Sequence, residues 1–102
     1  MKNLVAITMA AAVLGLSANV HAADASAGKT KAAGCTSCHG LTGISGNAMY
    51  PNLAGQKDVY LVKSIKDYRD GKRKDAMMEG MVKGMSDADV ADIAAYFTSL
   101  KP

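Results

Sequence analysis

The 102-residue sequence has no tryptophan, one phenylalanine, two cysteines and two histidines. It also lacks a strand pattern, because β-branched residues never alternate with polar ones over a useful length. We therefore predict an all-α domain. A strong excess of positive charge is missing as well, since twelve Lys and Arg stand against nine Asp and Glu. The chain is thus not expected to bind nucleic acid.

The first 22 residues have the pattern of a secretory signal peptide. Met1-Lys2-Asn3 is a short positive start, Leu4 to Leu16 is an apolar run, and Val20-His21-Ala22 offers small or branched residues for a signal peptidase. A membrane anchor is the alternative, but the run is shorter than the about 20 apolar residues that span a bilayer. We predict cleavage after Ala22, a location in the periplasm, and a mature domain, residues 23–102, that does not span the membrane.

Cys35-Thr36-Ser37-Cys38-His39 is the most specific motif of the chain. Two thiols three residues apart, followed at once by an imidazole, form the C-x-x-C-H arrangement of covalent c-type haem attachment. Each thiol can add to one vinyl group of the haem to form a thioether, and the histidine then lies beneath the iron as an axial ligand. The motif predicts one haem c, bound through Cys35 and Cys38, with His39 as a metal ligand.

Three other interpretations of this motif account for it less well. A structural zinc site normally takes four ligands, and loss of His21 with the leader would leave only three Cys and His residues. A thioredoxin-like redox pair would need a βαβ pattern around it, and none is visible. A plain disulfide would leave His39 without a role.

The chain after residue 23 resembles the class I c-type cytochromes, and among them the small bacterial monohaem carriers of the cytochrome c-553, c-4 and c-5 type. The resemblance rests on these segments: Cys35–Gly40, Tyr50–Gln56, Tyr68–Gly71, Met77-Met78 and the closing helix pattern. It implies a cytochrome c fold, in which three main helices wrap around one covalently bound haem. It also implies that Gly28 packs against Tyr96 where the first helix crosses the last.

Three segments carry helix signals. Ala23 to Ala33 is rich in alanine and lysine, and Gly34 follows it as a stop signal. Asp58 to Asp70 places apolar residues at helical spacing, and Ser86 to Leu100 does the same after a preferred N-cap serine. We expect the glycine-rich segment 71–85 to be a loop with at most one or two helical turns.

Pro51 lies twelve residues after His39. A ligand histidine generally donates its second ring proton to a carbonyl or carboxylate, which fixes the orientation of the ring. In class I cytochromes a proline carbonyl about a dozen residues after the histidine accepts that proton. The resemblance therefore gives Pro51 this role, and an ordinary turn proline is the alternative.

A second axial ligand must come from elsewhere in the chain. Once the leader is removed His39 is the only histidine, so ligation by two histidines of one chain is excluded. A methionine thioether is the natural choice, and it raises the reduction potential of the haem. Met49 is discounted because it lies only ten residues after His39. The remaining candidates lie in segment 71–85: Met77, Met78, Met81 and Met85.

Met77, Met81 and Met85 form one stripe at helical spacing, where methionine usually fills gaps in a core. Met78 stands off this stripe, and the ligand methionine of the resembling family aligns best with it. We predict Met78 as the second metal ligand. Met81, Met77, Met85 and an open sixth position stay as alternatives.

No spare histidine or cysteine is present to support substrate chemistry. We expect an electron carrier and not an enzyme, working with donor and acceptor redox proteins as partners. It would be either a monomer or a haem subunit of a larger oxidoreductase, such as a sulfide-oxidising flavocytochrome. A sensor or peroxidase-like haem with an open sixth position is a further alternative. Without a tryptophan to contact a haem propionate, Gln56, Arg69 and Arg73 are the candidates for that contact.

A cationic cluster occupies residues 63–74, with aspartates interleaved. Its members are Lys63, Lys66, Arg69, Lys72, Arg73 and Lys74. Such a cluster is either a solvated helix face or a docking patch for an acidic redox partner, which would act mainly on the association rate.

Overall fold

The computed structural model describes residues 22–102, so the predicted signal peptide, residues 1–22, lies outside the described part except for Ala22. Within that part the chain forms helices and no strands, which confirms the all-α class. The helices are α1 (Ala25–Lys31), α2 (Ala33–His39), α3 (Asp58–Arg69), α4 (Ala76–Val82) and α5 (Asp87–Ser99). In residues 22–102 no helix combines the length and the apolar composition needed to cross a bilayer.

Helical structure at the start of the domain extends further along the chain than the sequence indicates, because two short helices follow one another. α1 begins after Asp24, whose carboxylate accepts hydrogen bonds from the backbone N–H groups of Ser26 and Ala27. The helix is interrupted at Ala32 and resumes as α2, which ends at His39. The prediction that Gly34 stops the helix is therefore wrong. Gly34 lies inside α2, where its missing side chain leaves room for a neighbouring helix.

α1 and α5 approach closely at Gly28, as expected. A Cβ built on Gly28 would lie 1.9 Å from the carbonyl oxygen of Asp92 and 3.0 Å from Cβ of Tyr96. The tightest contact is therefore with the backbone of α5, and the tyrosine lies just beyond it. The buried Asp92 also joins the two helices, because its carboxylate accepts a 2.7 Å hydrogen bond from Lys31 and a 2.9 Å hydrogen bond from the backbone N–H of Asp24.

α3 and α5 provide most of the core. Leu61 of α3 is buried against Ile93, Tyr96 and Phe97 of α5, and the rings of Tyr96 and Phe97 lie 5.2 Å apart. α5 begins with a capping box in which Ser86 and Asp89 exchange hydrogen bonds, so the predicted N-cap is confirmed.

The segment between α2 and α3 is a loop fixed by backbone hydrogen bonds. The carbonyl of Gly43 accepts from the N–H groups of Leu53 and Ala54, at 2.8 and 3.0 Å. The N–H of Gly55 then donates to the carbonyl of Phe97 at 2.9 Å, which ties the loop to the end of α5. These bonds fix the position of the loop residues that face the end of α2.

Candidate functional site

α2 presents the three motif residues on one side. Cys35, Cys38 and His39 are separated by three and four positions, and residues at these spacings lie on the same side of an α-helix. Both thiols are free and half-buried, and the side chain of His39 is buried with 7% of its surface exposed. Burial raises the pKa of the Cys35 thiol. The helix therefore places two thiols and one imidazole next to one another.

The imidazole of His39 is oriented by the loop. Its Nδ1 lies 2.8 Å from the carbonyl oxygen of Pro51, and because a carbonyl can only accept, Nδ1 carries the proton. The hydrogen bond that the family resemblance implied for Pro51 is present. In this tautomer Nε2 keeps its lone pair, which is the electron pair that an imidazole donates to a metal.

These residues line a cavity of about 530 Å³. The volume lies in the range of roughly 300–1,000 Å³ that is typical of cofactor pockets. Core side chains of α3 and α5, among them Leu61, Ile65 and Phe97, form part of its wall. The structure brings every predicted site residue to this cavity: Cys35, Cys38, His39, Pro51 and Met78.

The methionines of segment 71–85 all line the cavity, but they do not form the expected core stripe. Met77 is 59% exposed and Met81 is 44% exposed. The buried residue of α4 is Val82, four positions after Met78 on the same side of the helix, and Met85 packs against the core. The prediction that Met77, Met81 and Met85 fill the core is wrong for the first two. The side of α4 that faces the core is the one that carries Val82.

The end of the Met81 side chain contacts α2. A Cβ built on Gly34 would lie 2.6 Å from Cε of Met81, so the thioether methyl rests against the α2 backbone one residue before Cys35. The contact places this methyl where a side chain at Gly34 would lie. It also occupies the tip of one of the candidate ligand side chains.

Most of the cationic cluster is neutralised by ion pairs. The pairs are Lys63 with Asp67, Lys66 with Asp87, Arg69 with Asp70 and Asp87, and Lys74 with Glu79. This pairing favours the solvated-face interpretation of the cluster over a docking patch. Within residues 22–102, Lys72 and Arg73 pair with no carboxylate.

Arg69 does not reach the cavity. Its guanidinium donates to the carboxylate of Asp87 at 2.8 Å and to the carbonyl of Met85 at 3.2 Å, so it joins the end of α3 to the start of α5. Of the three candidates for a propionate contact, Arg69 is therefore the one that does not line the cavity, because its side chain is used in this connection. Gln56 and Arg73, the other two candidates, line the cavity.

One side of α3, whose residues received no site role from the sequence, also lines the cavity. It carries Tyr60, Ser64 and Tyr68 at four-residue intervals. The guanidinium of Arg73 lies over the ring of Tyr68, 4.7 Å from its centroid. The four-residue spacing of these hydroxyl-bearing residues is the feature of the sequence that could have identified them. It is hard to recognise because apolar residues lie between them in the chain.

The cavity, its two thiols and Nε2 of His39 fit a haem group attached by thioethers. The family model of cytochrome c matches residues 25–101. This chain belongs to the cytochrome c family. Membership of the family indicates a covalently bound haem c, and the donor set on α2 is the one that such a cofactor requires.

Curated relatives of this cytochrome include other cytochromes and a protein named as an electron acceptor. Cytochrome c4 of Pseudomonas aeruginosa is 52% identical over 89 residues, which cover 86% of this chain and 44% of that protein. Cytochrome c-554(548) of Halomonas halodenitrificans is 52% identical over 81 residues, which cover 76% of this chain and 98% of that protein. The thiosulfate dehydrogenase electron acceptor of Thiomonas intermedia is 39% identical over 105 residues, covering 100% of this chain and 48% of that protein. This cytochrome thus spans about half the length of two of these relatives and nearly all of the third.

Solved structures support the same fold. Reduced cytochrome c4 from Pseudomonas stutzeri superposes with a TM-score of 0.74 at 44% identity, over 78% of this chain and 47% of that one. Cytochrome c4 of Acidithiobacillus ferrooxidans superposes with a TM-score of 0.73 at 29% identity, over 82% of this chain and 54% of that one. The predicted cytochrome c fold is therefore confirmed, although five helices build it in the described residues where three main ones were expected.

Proposed function

We propose that this chain is a periplasmic one-electron carrier with a single haem c. The observation that carries the proposal is the state of His39, whose Nδ1–H is committed to the Pro51 carbonyl while the ring lines a large cavity beside two free thiols. When bound, haem c supplies a ferric–ferrous couple that gains and loses one electron. The chain has one C-x-x-C-H motif, which accounts for one haem.

The residues of the chain would share the work of holding this group. Cys35 and Cys38 would provide the two thioether sulfurs, and His39 Nε2 the first axial ligand. The Pro51 carbonyl would hold the imidazole in its tautomer and increase its basicity. Apolar side chains of α3 and α5 would exclude water from most of the ring, which is the protein's usual contribution to such a cofactor.

Met78 is proposed as the second axial ligand. It lies on the side of α4 that carries the buried Val82, so its side chain belongs to the face that packs inward. The alternatives are less well placed, because the methyl of Met81 rests against Gly34 and Met77 is mostly exposed. A methionine ligand would favour the ferrous state, because soft sulfur raises the reduction potential.

The axial ligand can be tested with three matched variants. Met78→Ala should abolish the far-red sulfur-to-iron band of the ferric protein, lower the reduction potential and let the ferrous protein bind carbon monoxide rapidly. Met77→Ala and Met81→Ala should keep the band and the slow binding. Loss of the band in Met81→Ala with retention in Met78→Ala would refute the assignment. Wild-type protein that lacks the band and binds carbon monoxide at once would support an open sixth position instead.

A haem subunit of a larger oxidoreductase is the second candidate function. It is favoured by the relative named as a thiosulfate dehydrogenase electron acceptor, whose similarity extends over the whole chain. Size-exclusion chromatography of extract from the native host would separate the two. A red species of about 10 kDa would support the free carrier, and co-elution with a larger oxidoreductase at high salt would support the subunit.

A further inference from the structure

One wall of the cavity has an apolar row and a polar row side by side. Leu61 and Ile65 form the apolar row of α3, and Tyr60, Ser64 and Tyr68 form the polar row next to it. Both rows line the same cavity. A ligand held there would therefore meet apolar surface on most of its area and hydroxyl groups along one edge.

Arg73 is brought to this polar edge by the turn that follows α3. Gly71 adopts a positive φ of 74°, and the backbone N–H of Arg73 then donates to the carbonyl of Asp67 at 3.1 Å. The chain is thereby folded back along the helix, and the guanidinium comes to lie over the ring of Tyr68. Because stacking fixes the plane of the guanidinium, its N–H donors are pre-arranged for a planar acceptor.

Arg73 also differs from its cationic neighbours in its position at the cavity and in its ion pairing. No other lysine or arginine of residues 22–102 lines the cavity. The neighbours Lys63, Lys66 and Arg69 are each paired with an aspartate, whereas Arg73 pairs with no carboxylate in the described part of the chain. Its positive charge is therefore available to an anion inside the cavity.

Tyr60 completes the cluster. Hydrogen bonding with Ser64, and after it with Arg73, lowers the pKa of the Tyr60 hydroxyl. A lowered pKa means that the surrounding groups stabilise negative charge on that oxygen. The same surroundings would stabilise the negative charge of a ligand carboxylate placed next to it.

The acid that lines the cavity is already engaged. Asp75 caps α4, and its Oδ1 accepts hydrogen bonds from the backbone N–H groups of Met77 and Met78 at 3.1 and 3.0 Å. None of the ion pairs of residues 22–102 joins Asp75 to Arg73. The cavity is therefore lined by one cation without a carboxylate partner in the described residues and by one carboxylate that caps α4.

We propose that Arg73, together with the hydroxyls of Tyr60 and Ser64, binds a carboxylate of the cofactor, namely one haem propionate. The inference rests on the proposed function, since it requires haem c in the cavity. It assigns to the turn after α3 a role in cofactor binding, and it separates Arg73 from Arg69, which has a structural role four residues earlier.

The proposal has a consequence for the pH dependence of the reduction potential. A carboxylate paired with an arginine keeps a low pKa in both oxidation states, so its ionisation lies below the neutral range. Without the arginine that pKa rises. Because the ferric form carries one more positive charge, the carboxylate ionises at lower pH in that form, and the potential falls with pH between the two pKa values.

The test measures the midpoint potential of the haem-loaded protein from pH 5 to pH 9. Arg73→Gln should lower the equilibrium constant for reduction at pH 8 about three- to tenfold, where tenfold is about 59 mV for one electron. In this variant the potential should also decrease as the pH rises, whereas the potential of the wild type should not. Tyr60→Phe should shift the potential in the same direction by a smaller factor, and it carries the test if Arg73→Gln does not load haem.

Lys72→Gln is the matched control. It removes the same charge as Arg73→Gln, one residue away in the chain, and the Lys72 side chain does not line the cavity. Arg73→Lys, which keeps the charge but not the planar fork, should lie between wild type and Arg73→Gln. If the midpoint potential depends on pH in the same way in Arg73→Gln, Tyr60→Phe and Lys72→Gln, the inference is wrong. The proposed function is not affected by that result. Wild-type protein without a reversible haem couple would overturn the proposed function, and the inference with it.

Discussion

The close approach of α1 and α5 makes Gly28→Ala the sharpest test of the fold. A Cβ at this position would lie 1.9 Å from the carbonyl oxygen of Asp92, whereas ordinary contact begins near 3.4 Å. The obstacle is backbone, so a side-chain rotation cannot relieve it. α5 would have to recede by about 1.5 Å, which is enough to forfeit half or more of the dispersion energy between the facing atoms.

Two opposing effects set the magnitude. Overpacking of this kind costs about 1–3 kcal/mol, and a clash with backbone belongs at the upper end of that range. Replacing a helical glycine with alanine returns about 0.5–1 kcal/mol of conformational entropy. The net loss is about 2 kcal/mol, which lowers the melting temperature of a domain of this size by about 8–16 °C.

Gly80→Ala is the matched control for this prediction. Gly80 lies in the middle of α4, and a Cβ built there meets nothing within 4 Å. Only the entropic effect operates, so this variant should gain about 0.5–1 kcal/mol. Thermal unfolding of the haem-loaded proteins, followed by far-ultraviolet circular dichroism, compares the two. If Gly28→Ala melts at or above the wild-type temperature, the inferred contact between α1 and α5 is incorrect.

Two further predictions concern acid stability and the cofactor. Hydrogen bonding to Arg69, and after it the charge of Lys66, lowers the pKa of Asp87, so the stabilisation is complete above the unfolded pKa near 3.9 and is lost as the pH falls through the folded pKa. Asp87→Asn and Arg69→Gln should each flatten the decline of the urea midpoint below about pH 4, and an unchanged decline in both would contradict the pairing. Replacement of both Cys35 and Cys38 by alanine should leave a chain without stable helices by circular dichroism, whereas Ser37→Ala in the same helix should fold as the wild type does.

Local signals in the sequence were sufficient where one residue decides the structure. Ser86 caps the start of α5, as its residue type predicted. The hydrogen bond between His39 and Pro51 followed from the twelve-residue spacing together with the family resemblance. Such features depend on backbone geometry over a few residues, so they can be predicted without knowing what the chain packs against.

Features that depend on packing were predicted incorrectly. Gly34 has the low helix propensity of a stop signal, yet α2 continues through it, and the Met81 methyl packs where a side chain would be. The predicted core stripe was wrong for Met77 and Met81 because Val82, and not a methionine, is the residue that α4 buries. No sequence rule separates Arg69 from Arg73, since the turn at Gly71 determines which of them reaches the cavity.

The size of the cavity explains why so small a domain would depend on its cofactor. Leaving about 530 Å³ of largely apolar cavity unfilled would cost up to about 13 kcal/mol at the roughly 24 cal/mol per Å³ measured for buried cavities. A domain of about 80 residues has a total stability of only about 4–12 kcal/mol. Water entering from the open side would reduce that cost, but apolar side chains such as Leu61 and Phe97 would still lose the partner that buries them. A bound haem would therefore form the centre of the core, and native ellipticity with a cooperative unfolding transition in the double cysteine variant would contradict this dependence.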